Sequence, residues 1–113
     1  MVSQTEAMDM VRVFVDDLVR KHGDVLHLVV LFGSRAKGTA LPWSDVDILI
    51  VMEQRDHKII DEIYAASTDI FLEHLLDFSF KIYSRERYEK GVALGTPFMK
   101  EIKKTGIVLW KRE

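Results

Sequence analysis

Two apolar runs joined by a short connector of glycine and proline punctuation constrain this chain more than any other feature. The first, Leu28 to Phe32, drives into Gly33-Ser34; ten residues later Asp45-Val46-Asp47 opens the second, Ile48 to Met52. That order reads as strand, turn, short connector, strand. In an extended chain residues two apart project from the same face, so Asp45 and Asp47 would stand side by side, roughly 6.5–7 Å apart along the strand. Carboxylates held that close repel each other, and the usual relief is a shared proton or a bound cation. An oxygen-only pair suits a magnesium ion that keeps several waters and is completed by substrate phosphates. Gly33 lets backbone approach a ligand closely, and Ser34 with the amides after it can donate to a phosphate where a helix begins. Acids and candidate phosphate cradle therefore come from one continuous segment. It is not a phosphate loop of the Lys-Ser/Thr kind, because Lys37 is followed by Gly38.

The remainder supplies a sheet and its helices. Ser3-Gln4-Thr5-Glu6 is a capping-box pattern, and Met8, Val11, Val15, Leu18 and Val19 then fall at helical spacing as far as His22-Gly23. The pattern predicts a helix over Thr5 to His22. Val25 to Phe32 is nearly continuous in apolar residues, as in a central strand buried on both faces. Arg35 to Lys37 forms at most a helical turn, and Pro42 postpones the next strand to Ser44. Asp56 caps a helix carrying Ile59, Ile60 and Ile63, with Ser67-Thr68-Asp69 a candidate break. Phe78, Phe80 and Ile82 alternate with polar residues in the manner of a half-buried strand. Ser84 opens a short helix through Glu89 that Gly91 ends. Thr96-Pro97 opens another, with Phe98 and Ile102 inward, that Gly106 stops. Ile107 to Trp110 is a last strand. No repeat or linker interrupts this order, so residues 1–113 form one domain: α/β in composition, a sheet packed by helices.

Charge and composition exclude several function classes. Lys and Arg number 16 against 18 Asp and Glu, so no global basic field holds a nucleic acid nonspecifically. With no cysteine there is neither a disulfide framework nor a thiolate zinc site. The apolar runs are far below membrane-spanning length and no signal segment opens the chain, so a cytoplasmic location without membrane contact is the expectation.

Gly33-Ser34, ten residues, and Asp45-Val46-Asp47 resemble the signature of the polymerase-beta-like nucleotidyltransferase superfamily. The length, the Gly-Ser-Arg-Ala-Lys-Gly wording and Ser44 directly before the first acid are similar to the minimal nucleotidyltransferase (MNT) proteins, partners of helical HEPN proteins in toxin–antitoxin pairs. The resemblance implies a mixed sheet with helices mainly on one side. It implies ATP and Mg2+: Gly33 and Ser34, with Arg35, Lys37 and Ser44 around them, would hold the nucleotide triphosphate, while Asp45 and Asp47 would ligate metal. Two metals about 4 Å apart would stabilise the attacking and departing oxygens as a nucleoside monophosphate moves to an acceptor hydroxyl. For MNT antitoxins it implies transfer of AMP to a tyrosine of the HEPN toxin, in a homo- or hetero-oligomer. The family's third carboxylate belongs on a later strand near Ser79; Asp77, two residues earlier on the same face, is the candidate for both metal and catalysis. A module whose site is incomplete would instead neutralise its partner by binding alone.

Blander roles compete for the flanking residues. Arg35 and Lys37 neutralise phosphates or are solvated; Lys81 meets phosphate or pairs with Asp77. His27, inside an apolar strand, reads as a core histidine. Trp43 stacks on a base or, more commonly for such a residue, covers the sheet.

Overall fold

A computed structural model describes residues 2–113. Helix α1 spans Gln4–His22 and begins with the expected capping box: Ser3 Oγ accepts from Glu6 N while the Glu6 carboxylate accepts from Ser3 N. A 3-10 turn over Gly23–Val25 leads into strand β1, Leu26–Phe32. After Gly33 a single helical turn, α2 (Ser34–Lys37), and an irregular connector lead to strand β2, Val46–Met52. Then come helix α3 (His57–His74), strand β3 (Phe78–Ser84), helix α4 (Arg85–Leu94), helix α5 (Pro97–Thr105) and strand β4 (Ile107–Lys111).

The strands form one mixed sheet in the order β3-β2-β1-β4. β1 runs antiparallel to both β2 and β4, and β2 runs parallel to β3. The parallel step needs a crossover, and α3 provides it. Side chains alternate across the sheet. One face, with Val29, Leu31, Ile48, Ile50 and Phe78, meets Val11, Phe14 and Leu18 of α1 and Ile60 and Ile63 of α3 to form the main core. The opposite face carries a smaller cluster, in which Val30, Leu49 and Val51 meet Ile102 and Phe98 of α5. Two covered faces explain why β1 and β2 read as unbroken apolar runs.

Two expectations along the helices are corrected. The Ser67-Thr68-Asp69 break does not occur: both hydroxyls bond back to the Tyr64 carbonyl, at 2.8 and 3.0 Å, so the helix continues to His74 and closes on a left-handed Leu75. Gly91 does not end α4. It sits inside the helix, where a Cβ would meet Met99 at 3.1–3.2 Å, and Gly95 in the left-handed region is the stop. Gly91 thus marks close packing of α4 on α5. Phe98 faces inward only partly; Met99 and Ile102 are the buried residues of α5.

Candidate active site

β1 and β2 pair so that Phe32 lies opposite Asp47, which places the strand-ending glycine and the second acid at one end of the sheet. Gly33 has φ 74° and ψ −159°, a conformation that side-chain-bearing residues rarely adopt. The reason for the glycine is also steric: a Cβ there would lie 2.2 Å from Asp47 Oδ2 and 3.1 Å from its Cγ. The Asp47 carboxylate rests directly on the glycine backbone. The sequence pattern gives Gly33 a conformational role but does not announce this contact.

Asp47 is half-buried, and Asp45, immediately before β2, is exposed. Burial pushes the Asp47 carboxyl above its ordinary range, repulsion from Asp45 pushes it further, and Lys81 on β3 partly offsets both. The two acids are therefore coupled, as their spacing predicts. Lys81 and Asp77 form no ion pair among the described residues. Ser79 is the direct register partner of Asp47 across the β2–β3 ladder, so a hydroxyl stands where an acid was sought.

Asp77 lies just outside β3 and is exposed. Its Oδ1 accepts from Phe78 N at 2.9 Å, and its carbonyl accepts from Val46 N at 2.9 Å. Among the described residues no three His, Cys, Asp or Glu side chains gather closely enough to hold an ion unaided. The expected three-acid group is thus not assembled. What the structure presents is a two-carboxylate, oxygen-only pair with backbone approach beside it, a donor set that fits magnesium completed by water and phosphate.

The flanking residues divide. Arg35, only 4 % exposed, turns inward: Nε and Nη2 donate to Ser44 O at 3.1 and 2.8 Å, and Nη1 donates to Gln4 Oε1 at 2.6 Å. Gln4 Nε2 returns a bond to Arg35 O at 3.3 Å. Ser44 is likewise engaged, its Oγ accepting from Leu41 N at 2.9 Å. Arg35 and Ser44 hold the connector from within, a role hidden in the sequence because it depends on a helix thirty residues away. Lys37 reaches toward Glu101 of α5, 3.6 Å away at an exposed position. Trp43 is 69 % exposed and does not cover the sheet. His27 stands 3.5 Å from Glu53 at the opposite end of the sheet, apart from the acids.

A nucleotidyltransferase domain model matches residues 11–106, a span that runs from within α1 to just past the end of α5. The chain belongs to the nucleotidyltransferase domain family. A Methanocaldococcus jannaschii protein named as a protein adenylyltransferase is 36% identical to this nucleotidyltransferase domain over 69 residues, 61% of the chain. The chain spans about half, 46%, of that relative's length. The fold recurs in a nucleotidyltransferase crystal structure from Sulfolobus solfataricus: TM-score 0.61 and 23% identity, over 96% of this chain and 84% of that one. It recurs in a toxin–antitoxin structure with AMP-PNP: TM-score 0.61 and 19% identity, over 90% of this chain and 74% of that one. It recurs again in a complex of a tri-AMPylated Shewanella oneidensis HEPN toxin with MNT antitoxin: TM-score 0.52 and 16% identity, over 97% and 74%. Mixed sheet, helices and family are thus those the motif led us to expect. Among the described residues no helix is long and apolar enough to cross a membrane.

Proposed function

We propose that this nucleotidyltransferase domain transfers AMP from ATP, with magnesium, to a tyrosine hydroxyl of a HEPN-type toxin, and so acts as the antitoxin of the pair. The observation that carries this reading is the Asp47 carboxylate lying on the Gly33 backbone and coupled to Asp45, which joins acid pair and phosphate approach in one place. The named relative and the toxin–antitoxin structures support the choice of acceptor.

In this reading Gly33 and Ser34 meet the triphosphate, and Asp45 and Asp47 hold the ion. Bound magnesium would offset phosphate charge and polarise the α-phosphorus. Arg35 and Ser44 serve the nucleotide by fixing the connector, and Lys37 lies where it can leave Glu101 for phosphate. The tyrosine oxygen attacks the α-phosphorus, the bond to the bridging oxygen breaks, pyrophosphate leaves, and the hydroxyl proton passes to a site carboxylate. Asp77 is the third acid of the set once its carboxylate releases Phe78 N. Normal transfer by Asp77→Asn would remove it from that role.

Ser79 opposite Asp47 favours a second reading, neutralisation by binding alone. ATP labelled on its α-phosphate, magnesium and a HEPN-type toxin separate the two. Label on a toxin tyrosine with the natural protein and none with Asp47→Asn is the expected outcome. Natural protein no better than Asp47→Asn, with toxin still silenced by an Asp45→Ala, Asp47→Ala double variant, would establish binding alone.

A further inference from the structure

The connector ahead of the acids presents apolar surface that the fold does not use. Leu41 is 50 % exposed and Trp43 69 %, with exposed Pro42 between them. Exposed side chains are commonplace on flexible loops, but this turn is fixed at both ends. Ser44 N donates to Leu41 O at 2.9 Å and Leu41 N donates to Ser44 Oγ at 2.9 Å, so the four residues close on themselves. The buried Arg35 then clamps Ser44 O with two bonds and ties it to Gln4 of α1. The outcome is a rigid knuckle whose Leu41 and Ser44 backbone and hydroxyl groups are largely spent on each other, leaving aliphatic and aromatic surface.

Its position names the occupant. Two Cα steps separate Trp43 from Asp45, a distance of about 7.6 Å at most. A protein that brings a hydroxyl to phosphate held at Asp45 and Asp47 has this exposed tryptophan within reach of its own surface. Burying one large aromatic side chain removes on the order of 150–250 Å² from water, and tryptophan is enriched among the few residues that dominate interface energies. A stacked base would cover the Trp43 ring alone, whereas Leu41 and Pro42 extend the exposed apolar surface beyond it.

We infer that Leu41-Pro42-Trp43 is the docking knuckle for the acceptor protein, seated in an apolar recess beside the acceptor hydroxyl. The inference rests on the reading that the acceptor is a protein. Rigidity matters here: because the knuckle is continuous in chain with Asp45, docking fixes the acceptor relative to the acids.

The test compares the natural protein with Trp43→Ser and Trp43→Phe, using magnesium with AMP-PNP for nucleotide affinity, a HEPN-type toxin for binding, and that toxin with magnesium and ATP for AMP transfer. The expected result with Trp43→Ser is toxin affinity weakened about tenfold or more and a KM for toxin raised by a similar factor. AMP-PNP affinity stays within about twofold, and Trp43→Phe restores most of the loss. Because the side chain is exposed, the melting temperature should hold. Weakened AMP-PNP binding with unchanged toxin affinity would make Trp43 a base platform and overturn the inference. No change in either would overturn it as well. If toxin binds in a Trp43-dependent way but accepts no AMP, the transfer reading falls and the knuckle stands. If AMP moves with an unaltered KM in Trp43→Ser, the knuckle falls and the transfer reading stands.

Discussion

The central hairpin of β1 and β2 carries charge at both ends, and the ends treat it in opposite ways. At the far end Glu53 follows β2 and meets three bases: Arg85 at 3.3 Å, Arg112 at 3.5 Å and His27 at 3.5 Å. Its negative charge is answered by the protein's own side chains. At the near end burial and the charge of Asp45 push the Asp47 carboxyl upward, and Lys81 offsets them only in part. On the proposed function, the deficit at the near end is the charge that a bound cation would balance. The near end is also held locally, by a glycine at positive φ against Asp47 and by the buried Arg35 bonded to Ser44 O.

The sharpest break of this contrast is removal of charge at Asp47. In transfer assays Asp47→Asn should lose on the order of a hundredfold or more, the scale on which groups that stabilise transition-state charge act. Stability should move the other way. The carboxyl is raised in the folded state above its ordinary value of 3.8, so its contribution is fully present below that pH and is lost as pH rises through the folded value. Without magnesium, Asp47→Asn should therefore melt higher than the natural protein near neutral pH, with the gap closing as pH falls toward about 4. Magnesium with AMP-PNP should raise the melting temperature of the natural protein alone. A variant that melts lower at neutral pH would mean that Asp47 is satisfied as it stands.

Next in size is Gly33→Ala. It introduces a Cβ 2.2 Å from Asp47 Oδ2 at a positive φ, so strain and overlap add to about 2–4 kcal/mol in urea titrations. The same change at Gly38, which has φ 76° and open space around it, should cost only about 1–2 kcal/mol of backbone strain and leave AMP-PNP binding in place. Equal losses at the two glycines would reduce the near end to ordinary turn chemistry. Between these lies Arg35→Met, which keeps the length but strands the Ser44 and Gln4 oxygens. About 2–3 kcal/mol of stability should go with the charged hydrogen bonds, and AMP-PNP affinity should fall because the connector loosens.

These positions also show what could be read from residue order and what could not. The strand–turn–strand unit and the coupling of Asp45 to Asp47 follow from local spacing, since a period of two and a glycine at a bend are local physics. The capping box of α1 and the Pro97 start of α5 were legible for the same reason. Arg35 was not. Nothing in its neighbours distinguishes a guanidinium aimed at phosphate from one aimed inward, because its partners are a carbonyl nine residues on and a glutamine in α1. Gly91 misled because helical glycine and helix-ending glycine look alike until Met99 is seen against it. The hydroxyl pair Ser67-Thr68 misled in reverse, since bonds back to Tyr64 O let polar residues stay helical. The third acid was sought by spacing near Ser79, with Asp77 as the candidate; the residue in register with Asp47 is Ser79 itself, which carries no charge.

The smallest effect tests the far end. Glu53 is about one-third exposed, and its three basic neighbours sit at distances where a partly solvated network contributes little. Glu53→Gln should therefore cost no more than about 1 kcal/mol, and less as salt is added, because screening weakens what the ion pairs supply. The unpaired buried atoms His27 Nδ1 and Glu53 Oε1 set the direction of the remainder. An amide can direct its NH2 or its oxygen toward the imidazole as the tautomer requires, so part of the loss is recovered. Nucleotide binding should not change, since the strands separate this cluster from Gly33 and Asp47 by their full length. If Glu53→Gln weakened AMP-PNP binding as Arg35→Met is expected to, the two ends would be coupled through β1 and β2. The near-end charge deficit would then be a property of the whole hairpin, not of the site.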